Sequence, residues 1–130
     1  MIVGVGADLV QVQRVWELLE RRGERALLRL FTPAEAARCR AGRHPPESFA
    51  ARFAAKEAFF KALGTGWGRG GRWTEVEVVS APSGAPSLRL AGTAAEVAEA
   101  RGVRRCHLSL THVEGLAGAY VVLEGELPTS

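Results

Sequence analysis

An α+β domain with a mostly antiparallel sheet, one long N-terminal helix and a second long central helix is the fold that the sequence predicts. Helical and strand-like periodicities are mixed along the chain, and the last two strand-like stretches, 104–111 and 116–124, are joined only by His112-Val113-Glu114-Gly115, a hairpin-length connection. The 130 residues, 47% apolar and 24% charged with a net charge of +3, suit one compact domain over 1–130.

The elements follow in order. Residues 1–7 (MIVGVGA) form an apolar, partly β-branched run that reads as a buried strand with Asp8 at its end. From residue 10 to 30, Val12, Val15, Trp16, Leu19, Ala26, Leu27 and Leu30 recur at helical spacing and form a core-facing stripe. Thr32-Pro33-Ala34-Glu35 is a capping box that opens a short helix to about Arg40. After a loop at 42–46, Phe49, Phe53, Phe60 and Leu63 mark one face of the second long helix, which ends at Gly64. The glycine-rich stretch 64–72 fits neither helix nor strand. Strands are predicted at 73–79 and 87–90, then a helix at 93–101 and the final strand pair.

No apolar run approaches the roughly 18 residues that would span a bilayer, and the chain starts without the basic lead-in of a secretory signal, so a cytoplasmic location is expected. Cys39 and Cys106 stand far apart, which suggests neither a disulfide framework nor a zinc site. Fifteen of the 17 basic residues are Arg, and the two lysines, Lys56 and Lys61, lie on one predicted helix beside Glu57; the lone Asp among 14 acids is Asp8. That bias singles out these positions.

Each candidate has two readings. Gly4, Gly6 and Asp8 share one strand face, leaving a flat surface around a carboxylate that could seat a hydrated cation; alternatively Asp8 caps the following helix. A dinucleotide fingerprint is excluded, because the third glycine is missing and an acid sits in the loop. Glu57 and Lys61 are helical neighbours, as are Arg52 and Lys56. They are either surface pairs or functional groups, and Lys56 projects close to the phenylalanine line, where a solvated charge is unexpected. The stretch 64–72 either wraps a phosphate with help from Arg69 and Arg72, serves as a flexible connection, or binds single-stranded nucleic acid through Trp67 and the arginines. His107, Ser109 and Thr111 share a strand face with His112 at the exit, but no nucleophile elbow accompanies them. Finally, Arg14, Arg21, Arg22, Arg25 and Arg29 cluster around Leu18 on the first helix, either a solvated face or an interface for an acidic helix or a phosphate backbone.

Taken together, the segments Ile2-Val3-Gly4-Val5-Gly6-Ala7-Asp8-Leu9-Val10, Phe31-Thr32-Pro33-Ala34-Glu35, the run from Arg52-Phe53-Ala54-Ala55-Lys56-Glu57 through Lys61-Ala62-Leu63-Gly64-Thr65-Gly66, and His107-Leu108-Ser109-Leu110-Thr111-His112 resemble the small holo-acyl-carrier-protein synthases, which are 4'-phosphopantetheinyl transferases. The resemblance implies transfer of the phosphopantetheine arm of coenzyme A to a serine of apo acyl carrier protein in fatty acid biosynthesis, releasing adenosine 3',5'-bisphosphate, with Mg²⁺ required. It implies Asp8 and Glu57 as metal carboxylates, a choice that agrees with the preference of Mg²⁺ for a few carboxylate oxygens, waters and substrate phosphates.

Further roles come from the same resemblance. Lys61 meets a phosphate oxygen, assisted by Lys56; Gly64 and Gly66 line the pantetheine or phosphate path; Arg52 and His112 meet the nucleotide. Glu57, a metal-bound water or His112 takes the serine proton. Arg14, Leu18, Arg21 and Arg25 face the acidic helix of the carrier. A homotrimer with shared active sites is implied, and no nucleic-acid or membrane partner. Some relatives carry an Asp after the strand-end His; here Val113 stands in its place, so that way of orienting the imidazole is missing. A nucleic-acid-binding module and a metal-dependent phosphodiester hydrolase are the rival readings.

Overall fold

The computed structural model describes residues 1–66 and 68–127, and within them the α+β expectation holds. The order is β1 (Ile2–Gln11), α1 (Val12–Leu30), α2 (Pro33–Ala41), α3 (Pro45–Leu63), a 3-10 turn at Trp73–Glu75, β2 (Val76–Ser80), β3 (Pro86–Leu90), α4 (Gly92–Ala100), β4 (Val103–Val113) and β5 (Leu116–Gly125). β5 runs between β1 and β4 in an antiparallel three-stranded sheet, and β2 pairs with β3 as a separate hairpin.

α3 lies across the inner face of the larger sheet, against β1 and β5. Its alanines and the glycines of β1 make this contact unusually close. A Cβ on Gly4 would stand 2.0 Å from the Ala62 carbonyl oxygen, and one on Gly6 the same distance from that of Ala58. The flat glycine surface expected around Asp8 is therefore not open; α3 fills it, main chain against main chain. On its other sides α3 buries Phe49, Phe59 and Phe60, joined by Phe31 and Trp73, with Phe60 and Trp73 packed edge to face at 5.6 Å.

Several boundaries differ from the sequence reading, among them the start of α3, which lies at Pro45 inside the expected loop. β1 continues past residue 7 to Gln11, because β5 supplies partners as far as Gln11 opposite Leu116. Asp8 is thus inside the strand and cannot cap α1, whose N-cap is Gln11 with no side-chain cap bond. Residues 73–75 form a 3-10 turn rather than a strand, since the Glu75 carboxylate reaches back to accept from the Arg72 amide at 2.8 Å. His112 lies within β4, opposite Ala117, rather than at its exit. Within α1, Gly23 adopts φ 67° and ψ −150°, a conformation essentially restricted to glycine, and breaks the helix into two segments.

Among the described residues, no element covers the outer face of the sheet. Val5, Leu9 and Tyr120 are exposed on it by 63%, 65% and 56%. Both cysteines are free, and burial pushes the Cys39 thiol up to about 11.

Candidate active site

The close packing of α3 on β1 decides the site. It delivers Glu57 and Lys61, one turn apart on α3, to Asp8 on β1. The Lys61 ammonium donates to Asp8 Oδ1 at 2.8 Å and to the Ala7 carbonyl at 3.2 Å. Asp8 Oδ2 is buried and, among the described residues, has no hydrogen-bond partner. Glu57 stands near enough for the charges to act on each other. Burial and then the negative charge of Asp8 push its carboxyl above the usual range, with Lys61 pulling the other way. The hydrogen bond to Asp8 raises Lys61 in turn.

Two acids share a partly buried place, one Asp8 oxygen is unpartnered among the described residues, and both burial and Asp8 disfavour the charged form of Glu57, so a second positive charge beside Lys61 would be welcome there. Such a donor set fits a small divalent cation that brings its own waters and takes further oxygens from a phosphate. Three-member clusters of metal-ligating side chains do not occur among the described residues.

From Glu57 a groove of about 660 Å³ runs along α1, lined by Arg14, Leu18 and Arg21 from the helix and by Phe53 and Leu116 at its base. Arg25 lies beyond the Gly23 break, in the second segment of α1, and does not line the groove. Next to Leu63, Gly64 closes α3 in a left-handed conformation (φ 83°), its amide bonded to the Phe60 and Lys61 carbonyls, and Gly66 follows at φ 69°. Arg69 and Arg72 belong to the same stretch; Trp67, named with them in the nucleic-acid alternative, lies outside the described residues.

Three expected contacts are not brought together. Lys56 is fully buried: its ammonium donates to Glu35 Oε1 at 2.7 Å, the Trp73 carbonyl at 2.9 Å and the Val76 carbonyl at 2.8 Å. All three N–H groups are used inside the protein, so its expected assistance at a phosphate gives way to a structural role. Arg52, four residues earlier, shares that side of α3. It lies beside Cys39, donates to the Ser48 carbonyl at 3.4 Å, and stands about 140° around the helix from Glu57. His112 is exposed two strands from Val10, in register through Ala117, or about 10 Å across the sheet. Within one chain, neither Arg52 nor His112 joins the Asp8 cluster.

Sequence reasoning missed Glu35 as an interior group, having seen only its capping-box role. The signal was present: a lysine on an apolar helix face requires a buried acceptor, and Glu35 closes the preceding helix start. It missed Arg101 as well, whose guanidinium donates to the Leu63 carbonyl beside Gly64.

An acid on a strand and an acid on a helix thus stand together at the head of an arginine-lined groove, an arrangement suited to a transferase that handles phosphate groups. Residues 4–121 match the model of the 4'-phosphopantetheinyl transferase superfamily, and the chain belongs to that family. It is 51% identical over 125 residues to the holo-[acyl-carrier-protein] synthase of Desulforudis audaxviator, covering 96% of this chain and 95% of the relative. To that of Methylobacterium sp. (strain 4-46) it is 54% identical, covering 95% of each. Among solved structures, the synthase of Neisseria meningitidis superposes with a TM-score of 0.88 at 32% identity, covering 95% of this chain and 99% of that one. That of Helicobacter pylori, in complex with coenzyme A, gives 0.82 at 28% identity, covering 92% and 99%. The nucleic-acid reading finds no support among these relatives. No helix among the described residues is long and apolar enough to cross a membrane.

Proposed function

We propose that this chain is a holo-acyl-carrier-protein synthase acting in fatty acid biosynthesis, moving 4'-phosphopantetheine from coenzyme A to a serine of apo acyl carrier protein. The observation that carries the reading is the buried Asp8 Oδ2, unpartnered among the described residues, with the Glu57 carboxyl and the half-exposed Lys61 ammonium close by at the head of an arginine-lined groove.

Asp8 and Glu57 would hold Mg²⁺, which when bound supplies charge neutralisation at the pyrophosphate. Lys61, half exposed on a flexible stem, can leave Asp8 Oδ1 to the cation and follow the phosphate charge. The serine oxygen forms a bond to the β-phosphorus of coenzyme A. The bond from that phosphorus to the bridging oxygen breaks, and adenosine 3',5'-bisphosphate departs. Glu57 is the proton acceptor within the cluster; His112 is two strands away. Gly64 and Gly66 line the path of the substrate arm, and Arg14, Leu18 and Arg21 receive the acidic helix of the carrier, with Arg25 at the edge of that surface.

The exposed Val5, Leu9 and Tyr120 suit burial of the outer sheet face against further copies, which accords with the homotrimer that the resemblance implies, in which Arg52 or His112 of one subunit could serve a neighbour's nucleotide. A cytoplasmic location accords with this substrate pair.

Mass spectrometry of a cognate apo carrier incubated with coenzyme A tests the reading. A phosphopantetheine adduct that requires Mg²⁺ is expected. No adduct would overturn the proposal, and adenosine bisphosphate released without a carrier would favour the hydrolase.

A further inference from the structure

We propose that the buried Glu35–Lys56 pair is a positioning device for the transfer, setting the direction in which α3 presents Glu57 and anchoring the far end of the glycine-rich stretch 64–72. The part concerning that stretch rests on the reading above, in which Gly64 and Gly66 line the substrate path.

Lys56 and Glu57 are consecutive on α3, about 100° apart around its axis. Three directional bonds hold Lys56, so α3 cannot roll without breaking them, and the bearing of Glu57 toward Asp8 is held with it. The same ammonium grips the carbonyl of Trp73, the first residue after the glycine-rich stretch. The stretch thus leaves α3 at Gly64, where Arg101 holds the Leu63 carbonyl, and is tied back to the same helix two turns earlier.

Glu35 completes the hub. Its Oε1 also accepts from the Thr32 amide at 2.9 Å, and Oε2 accepts from the Val78 amide at 2.9 Å, so β2 and the start of α2 join the same point. Thr32 in turn donates its hydroxyl to Glu77 Oε2 at 2.6 Å. Burial lowers the Lys56 proton affinity while Glu35 restores part of it. An apolar pair of similar volume could supply as much stability or more. What it could not supply is this set of directions.

The test uses Lys56→Met and Glu35→Gln in the full chain, at a temperature where each is folded by circular dichroism. The expected result is a KM for coenzyme A raised, or kcat lowered, by at least about tenfold, the scale that a misplacement of an ångström or less costs. The KM for the carrier should stay within about twofold, and amide exchange across 64–72 should speed by at least about tenfold. Folded variants with wild-type kinetics and wild-type exchange would overturn the proposal, because a merely structural pair lowers Tm without moving either. The wild-type protein supplies an independent arm: the Val78 amide, which donates to Glu35 Oε2, must exchange as slowly as those of α3, and fast exchange there refutes the hub. Exchange needs no turnover, so if the wild type transfers nothing to the carrier, the functional reading falls and exchange alone decides the anchoring.

Discussion

Two lysines five residues apart on one helix each bind a carboxylate, and at nearly the same distance: Lys56 to Glu35 at 2.7 Å, Lys61 to Asp8 at 2.8 Å. They are opposite in kind. The first pair has both side chains fully buried and every oxygen of Glu35 engaged; the second leaves Lys61 54% exposed and one Asp8 oxygen without a partner. Distance therefore does not assign a role. Completed hydrogen bonding marks the pair that builds the molecule, and an unfinished one marks the pair available for chemistry.

The contrast can be broken by substitution. Asp8→Asn should remove the carboxylate charge without disturbing β1, costing roughly 10²- to 10³-fold in kcat/KM, the equivalent of several kcal/mol of metal-borne charge stabilisation. Steady-state kinetics over a Mg²⁺ titration checks this, and wild-type turnover would remove Asp8 from the site.

Stability should respond in the reverse sense. Lys56→Met leaves Glu35 charged and unpaired in the interior, with an expected loss of about 3–5 kcal/mol in urea unfolding. Lys61→Met removes an ammonium that is half exposed and should cost less, about 1 kcal/mol. Equal losses would erase the distinction between the two pairs.

The smallest effect is a pH slope. Folding raises the Glu57 carboxyl above its ordinary value of 4.5, so between that value and the raised one the native state holds more proton than the unfolded chain. Stability of the metal-free protein from this group is present at low pH and lost as pH rises through that window. Tm measured in a chelator should accordingly fall less steeply with pH in Glu57→Gln than in wild type. An unchanged slope would show that burial and the neighbouring Asp8 do not raise Glu57.

Much of this was legible in the residues. The Thr32 to Glu35 capping box formed as read, because its bonds are local, and the final hairpin followed from its short connection. Lys56 already conflicted with its apolar face. What resolved the conflict was an acceptor 21 residues away and two carbonyls from the 3-10 turn and β2, and no periodicity encodes such contacts. The length of β1 depended on β5, more than a hundred residues later. The Gly23 break escaped detection because a lone glycine is tolerated in a helix, and the apolar stripe resumes beyond it at Leu27 and Leu30. The side of α3 occupied by Arg52 could be counted, but which neighbours face it could not.

The absence of side chains between β1 and α3 at Gly4 and Gly6 has a consequence for tolerance to change. Where main chain rests on main chain, spacing is set by peptide groups that every sequence shares. Aromatic residues elsewhere in the interior can be exchanged and resettled while the gap separating the two acids keeps its width. A single methyl group introduced at either glycine would open that gap directly, with the whole hydrophobic interior otherwise intact.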